Sequence, residues 1–323
     1  MQKINIEDIH LISRHSNWSK TGAEKALIEN VYNDTSSWRK FLQLFTLSLG
    51  VGFMVLGILF FFAYNWADIH KFTKIGMIEV LILVTTLLAL VPKFNPLTRN
   101  ILLTGASVLV GVLFAVFGQI YQTGANAYDF FLGWSASITL WVIIANFPAL
   151  WLIYITLLNT TLSLYAAQVT HNWTNVFLLT ILFVINVSFL VVALGLSKLK
   201  PIANVPGWFT KTIALASVYC CTSGVIQGVF GNYNFSLSIL IALIFVIYGA
   251  GVLYGLREKS QFYLAIIAIS VIIMITSCLA ELTPNHDTGL MTLLIGVFII
   301  TSVTVVVKTL LSLQKKWNNE QLQ

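Results

Sequence analysis

Few side chains in this sequence are suited to chemistry, and most of those that are fall into one recurring pattern. Three apolar runs end in an amide beside aromatic rings: Ala63-Tyr64-Asn65-Trp66, Phe117-Gly118-Gln119-Ile120-Tyr121-Gln122 and Phe230-Gly231-Asn232-Tyr233-Asn234. An amide orients a polar ligand through its paired donor and acceptor, and a ring stacks on a sugar or an apolar group. Asn126 and Asp129 follow the second of these ends within a few residues. The candidate ligand-binding residues are therefore Asn65, Trp66, Gln119, Tyr121, Gln122, Asn126 and Asp129. Asp68, Glu281, Asp287, His70, His171 and His286 lie in or beside loops expected on the same side. An interfacial belt of Tyr and Trp would explain the rings, but not the amide repeated beside them. Glu79 is the one acid well inside an apolar run, about 7–8 Å along a helix from Lys74. It is a candidate coupling carboxyl for a proton or cation. The alternative is a neutral carboxyl, or one paired with Lys71 or Lys74 by bending of their long side chains.

The motifs of familiar chemistries are missing. There is no Gly-rich phosphate loop, no His-Glu-x-x-His helix and no Gly-x-Ser-x-Gly elbow. Each outer histidine is alone in its loop, so no metal site is expected. Cys220, Cys221 and Cys278 all sit in apolar runs without zinc-type spacing, and are expected to act as small packing residues. No catalytic residue and no cofactor is assigned. A membrane-embedded enzyme using Asp68, Asp129 and the histidines would lack a compact acid–base or nucleophile constellation.

The elements that position these residues follow from composition. Of 323 residues 58% are hydrophobic and 9% charged, against about 25% charged in a soluble domain. Between Lys74 and Lys198 the only charges are Glu79, Lys93, Arg99 and Asp129. No water-soluble surface can be made from that stretch. A soluble multidomain enzyme, a nucleic-acid-binding domain and a disulfide scaffold are thereby excluded. The expected fold is all-α, a polytopic membrane helix bundle in contact with the lipid bilayer. About 20 apolar residues span the hydrocarbon core as helix, and helix satisfies every backbone group internally. Ten such runs are present: 41–64, 74–92, 100–120, 130–147, 148–168, 174–196, 210–230, 235–255, 260–280 and 288–311. The stretch 130–168 is too long for one span and is expected to form a hairpin, with Pro148 starting its second helix.

Orientation follows from Lys and Arg. With the N-terminus in the cytoplasm, only Lys71 and Lys74 of the 18 basic residues fall outside. That bias predicts both termini in the cytoplasm of a bacterial inner-membrane protein. Between the first and last spans every acid except Glu258 then falls toward the outside. The expected organisation is a cytoplasmic helical segment 1–40, two five-helix membrane halves at 41–168 and 174–311, and a cytoplasmic tail 312–323. Within 1–40, two amphipathic helices are expected at 4–14 and 22–33, the second begun by a capping box at Thr21–Glu24. They are either a docking site for a protein partner or an arm lying on the membrane surface. Trp317 and the polar tail are expected to be unstructured. Asn159, Asn186 and Gln227, near the middles of three spans, are expected to hydrogen-bond between helices, or else to line a polar path. Gly224–Gly228 and Gly251–Gly255 are GxxxG matches that permit close helix approach.

The runs Ser48-Leu49-Gly50-Val51-Gly52 through Phe62-Ala63-Tyr64-Asn65-Trp66, and Gly118-Gln119-Ile120-Tyr121-Gln122 through Thr123, Gly124, Ala125, Asn126, Ala127 and Tyr128 to Asp129, resemble a prokaryotic membrane family. So does the Trp-rich stretch from Trp134 through Trp141, Pro148 and Trp151 to Asn159. The family is known as domain of unknown function 2157, and the resemblance covers roughly residues 10–168. It implies a bacterial integral membrane protein and no catalytic activity. The leading expectation is a protein that binds or transports a small polar or amphiphilic solute. The alternative is a non-catalytic scaffold or regulator acting through residues 1–40.

Overall fold

The structure is a computed structural model. It describes residues 9, 18–19, 21–22, 24–25, 27, 35–64, 70–121, 124–170, 172–199, 205–231, 235–282 and 288–321. Among them there are ten long helices, all long and apolar enough to cross a membrane, and no strand. The chain divides into two compact units, Met1–Tyr121 and Gln122–Gln323.

The first unit holds α1 (Thr35–Tyr64), α2 (Lys71–Leu90) and α3 (Pro96–Tyr121). The five-residue link between α2 and α3 makes them an antiparallel hairpin. Asn95 accepts from the Thr98 N–H at 2.7 Å and Pro96 opens α3, so side-chain capping and a preset φ start that helix. Arg99 Nε donates to the Ala89 carbonyl at 2.8 Å, placing a cation on the negative end of α2. The core is formed by Val55, Ile78, Leu109, Val112 and Val116. Gly105 lets α1 come close: a Cβ there would stand 2.5 Å from Val51 Cγ1.

The second unit holds α4 (Ala127–Ala145), α5 (Pro148–Gln168), α6 (Asn175–Leu199), α7 (Gly207–Val229), α8 (Phe235–Arg257), α9 (Gln261–Glu281) and α10 (Thr288–Gln321). The α4–α5 turn forms as the sequence predicts. Asn146 ends α4 in the left-handed region (φ 43°) and Pro148 takes the first position of α5. α7 is the central helix, packed against α5, α6, α8 and α9. Both GxxxG pairs serve this packing. A Cβ on Gly224 or Gly228 would meet Leu240 or Leu237 of α8 at 2.7 and 2.6 Å, and one on Gly251 or Gly255 would meet Ile267 or Leu264 of α9.

The distribution of polarity identifies the solvent. Phe235, Phe245, Val246 and Ile144 are largely exposed, whereas Ser107, Ser217, Thr222, Ser270 and Asn186 are buried. Such an apolar outside suits lipid, and buried hydroxyls are satisfied by the carbonyl one turn back, as Ser217 is by Ile213.

Two local expectations are corrected. The helix near residue 22 is capped by Ser19, which accepts from the Gly22 N–H at 3.1 Å, and Thr21 is already helical. The tail is not unstructured: α10 continues to Gln321, and Glu320 accepts from Lys259 Nζ at 2.9 Å. Most of the predicted helix 4–14 and much of 22–33 lie outside the described residues.

Candidate functional site

At one end of the second unit, α4 begins, α5 ends and α6 begins. The start of α4 is fixed by local polar bonds. Asp129 Oδ2 accepts from the Asn126 N–H and the Asp129 N–H reaches the Asn126 carbonyl, both at 3.1 Å. An acid in the first turn also complements the helix dipole. Asp129 and Asn126 therefore cap a helix, whatever else they do, and a carboxylate has further lone pairs to offer. The Tyr128 N–H donates to Gln168 Oε1 of α5 at 3.1 Å, so one amide joins two helix ends. Aromatic contacts extend the cluster. Tyr128 meets Tyr165 at 5.2 Å between centroids, Tyr165 meets Trp173 at 5.8 Å and Trp173 meets Phe177 at 5.1 Å, all edge to face. Tyr128, Tyr165 and Trp173 are half-buried, Gln168 and Phe177 exposed. The Tyr128 phenol also interacts electrostatically with Asp129. One carboxylate, one amide and four rings are thus contiguous.

The other candidates fall elsewhere. Gln119 and Tyr121 are both exposed in the last turn of α3, in the first unit. Two positions apart on a helix, they point about 200° from one another. Tyr121 instead packs against Phe117, one turn back, with ring centroids 4.5 Å apart and planes tilted by 40°. Asn65, Trp66 and Gln122 lie outside the described residues, as do Asp68, His171, His286, Asp287 and Asn232–Asn234. Glu79 is exposed on α2 beside Val80, Leu83 and Leu87, whereas Lys74 is buried on another face. The pairing of Glu79 with Lys71 or Lys74 is not seen, and Glu79 makes no ion pair among the described residues.

The mid-span amides pack helices together. Asn186 Nδ2 donates to Asn159 Oδ1 at 2.8 Å, and Asn159 Nδ2 donates back to Asn186 Oδ1 at 3.3 Å. Each amide also donates to the carbonyl four residues earlier in its own helix, at 2.7 Å. Gln227 is exposed instead. Cys221 does more than fill space. Its thiol lies 3.0 Å from the Tyr248 hydroxyl, which lies 2.6 Å from Ser270 Oγ, itself 2.6 Å from Thr222 Oγ1. Thr222 and Cys221 both donate to the Val218 carbonyl. This buried ring of bonds ties α7, α8 and α9 together. Among the described residues, no three His, Cys, Asp or Glu side chains group so as to hold a metal ion.

Comparison with known sequences bears on the region that contains Tyr128 and Asp129. Residues 20–151 match the family described as "Predicted membrane protein (DUF2157)". The DUF2157 match establishes, over that stretch, the resemblance carried by the glycine-rich start and the Gln-Ile-Tyr-Gln run. It takes in α1 to α4 and the first turn of α5. Tyr165, Gln168 and Trp173 lie beyond it. No curated protein and no solved structure matches the chain.

Those three residues were not singled out from the DUF2157-like motifs or from the pattern at the run ends. The signal was nevertheless present. Tyr165-Ala166-Ala167-Gln168 ends the fifth run with an aromatic ring and an amide three positions apart, rather than adjacent as at the other ends. The Cys221, Thr222, Tyr248 and Ser270 ring left no comparable trace, because single hydroxyls are ordinary in apolar helices.

Proposed function

We propose that this multi-pass membrane protein binds or transports a small polar or amphiphilic solute without acting as an enzyme. Recognition is assigned to Asp129, Tyr128, Tyr165, Gln168 and Trp173 in the second unit. The carrying observation is that three helix ends bring a carboxylate, an amide and half-exposed rings into contact. The positive-inside bias supports placing this end outside the cytoplasm and both termini inside, in a bacterial inner membrane. Gln119 and Tyr121, at the end of α3, remain a separate proposed contact patch of the first unit. Glu79 remains the proposed coupling carboxyl, an ionisable group on an otherwise apolar helix face.

The test uses full-length protein in nanodiscs and liposomes. Candidate polar and amphiphilic solutes are screened by calorimetry and by flux. Trp173→Ala and Gln168→Ala should abolish binding while membrane expression is retained, and Glu79→Gln should abolish coupled flux. Wild-type binding and flux in all three variants would reject the assignment. Deletion of residues 1–33 that removes a co-purifying protein, with binding absent throughout, would favour the scaffold reading.

A further inference from the structure

Charge around the α4–α5–α6 cluster is one-sided. Asp129 is the only Asp, Glu, Lys or Arg between Arg99 and Lys198. It stands at the start of α4, and its helix partners there, α5 and the N-terminal part of α6, carry no countercharge. The described basic residues of the second unit lie at or near the opposite ends of its helices. Lys198 closes α6, Lys211 is in the first turns of α7, Arg257 ends α8, Lys259 follows it, and Lys308, Lys315 and Lys316 are in the second half of α10. At the near end the other described acid is Glu281, the last residue of α9. The start of α4 contributes roughly half a positive charge, which leaves the Asp129 carboxylate under-compensated.

The rings point to the same sign. A ring face is electronegative and attracts a cation lying within about 6 Å of its centroid. In the edge-to-face contacts along Tyr128, Tyr165, Trp173 and Phe177 the interplanar angles are 80°, 70° and 84°. Neighbouring faces are therefore turned roughly perpendicular to each other, and the half-exposed rings keep surface for a ligand. Lys and Arg, which could occupy such faces from within the protein, are absent from this group of helix ends.

Resting on the solute-binding reading above, we infer that the solute is an organic cation. Its ammonium group sits between Asp129 and the faces of Tyr128 and Tyr165, and its apolar part lies on Trp173 and Phe177. Gln168 Nε2, with its Oε1 engaged by Tyr128, supplies a donor for a polar substituent. Anions are the ligand class this charge pattern disfavours.

Three probes that share a phenyl ring and differ in charge separate the possibilities: benzyltrimethylammonium, phenyl β-glucoside and benzenesulfonate. Each is titrated by calorimetry into full-length protein in nanodiscs of zwitterionic lipid. Benzyltrimethylammonium should bind saturably, with affinity falling as salt is raised. Asp129→Asn should weaken it about tenfold or more, an order set by loss of one charge contact. Tyr165→Ala should weaken it also, and thermal unfolding of each variant checks that the fold is kept. Glucoside binding that is lost in Trp173→Ala, with no ammonium binding, would overturn the cation assignment and keep the site. Saturable ammonium binding that Asp129→Asn and Tyr165→Ala leave unchanged would overturn the assignment to this cluster. Absence of saturable binding for all three probes would overturn the cation and, with the wider solute screen also blank, the site reading itself.

Discussion

If the Asn159–Asn186 pair is a clamp rather than part of a solute path, its two amides must be energetically coupled. Asn186 is buried, and each amide uses one N–H on its partner and the other on its own helix, at 2.7 Å. Asn186→Ala removes both cross-helix bonds, 2.8 and 3.3 Å long. It leaves the Asn159 oxygen and one N–H facing an apolar void. Asn159→Ala does the reverse. Each single substitution therefore combines a small cavity with unmet polar groups, about 1–3 kcal/mol for the latter. The double substitution has the cavities but no orphaned amide. Interhelical bonds in membranes average about 0.6 kcal/mol and reach about 1.7. Two bonds then give a coupling energy of about 1.2 kcal/mol, about eightfold in the equilibrium constant. The double variant should be more stable by that amount than the sum of the singles. Unfolding in mixed micelles, followed by circular dichroism, measures the four corners of the cycle. Solute flux should survive in the double variant. Additive singles would show that the amides are not coupled. Loss of flux in a stable double variant would restore the polar path.

The other predictions use the same stability assay or simple labelling. Gly224→Ala should destabilise by about 1–3 kcal/mol, because its new Cβ would stand 2.7 Å from Leu240 Cδ2, whereas Gly118→Ala, with nothing within 4 Å, should be tolerated. Ser270→Ala and Tyr248→Phe should each destabilise, because each removes two bonds of the ring that ties α7, α8 and α9, at about 0.5–1.5 kcal/mol per bond lost. A membrane-permeant maleimide should modify exposed Cys278 in the folded protein and reach buried Cys220 and Cys221 only after unfolding. Mass spectrometry that found either buried thiol modified first would contradict the packing of α7.

The parts of this structure that were legible in the sequence are those that depend on the bilayer, because lipid acts on long averages. Ten runs of apolar residues became ten helices, and Pro148 after Asn146 broke the longest run where a fixed φ and a left-handed residue require it. The starts and ends were harder, because a terminus is decided by single bonds. Ser19 rather than Thr21 caps the N-terminal helix, and α10 runs on to a cross-helix ion pair with Lys259. The amides were legible as polar cost but not as partners. Asn159 and Asn186 find each other across α5 and α6 while Gln227, two residues before the end of α7, faces outward.

The candidate site divides along the same line. Sequence proximity suggested one cup from Gln119 through Asp129, yet Gln119 and Tyr121 end a helix of the first unit while Asn126 and Asp129 begin one in the second. Chain neighbours at a helix boundary need not share a surface, since each helix rotates its side chains by about 100° per residue. What Asp129 meets is set by contacts some 40 residues away, through Tyr128 to Tyr165 and Gln168. A spacing rule tuned to amides adjacent to rings passes over Gln168. The criterion that recovers it is the one the bilayer imposes: an amide within a turn of a span's end, together with a ring on its own helix face. Tyr165 and Gln168, three apart, meet it, whereas Gln119 and Tyr121, two apart, do not. By that rule the second unit holds the stronger candidate site, and substitution of Gln168 should reduce solute affinity more than substitution of Gln119 does.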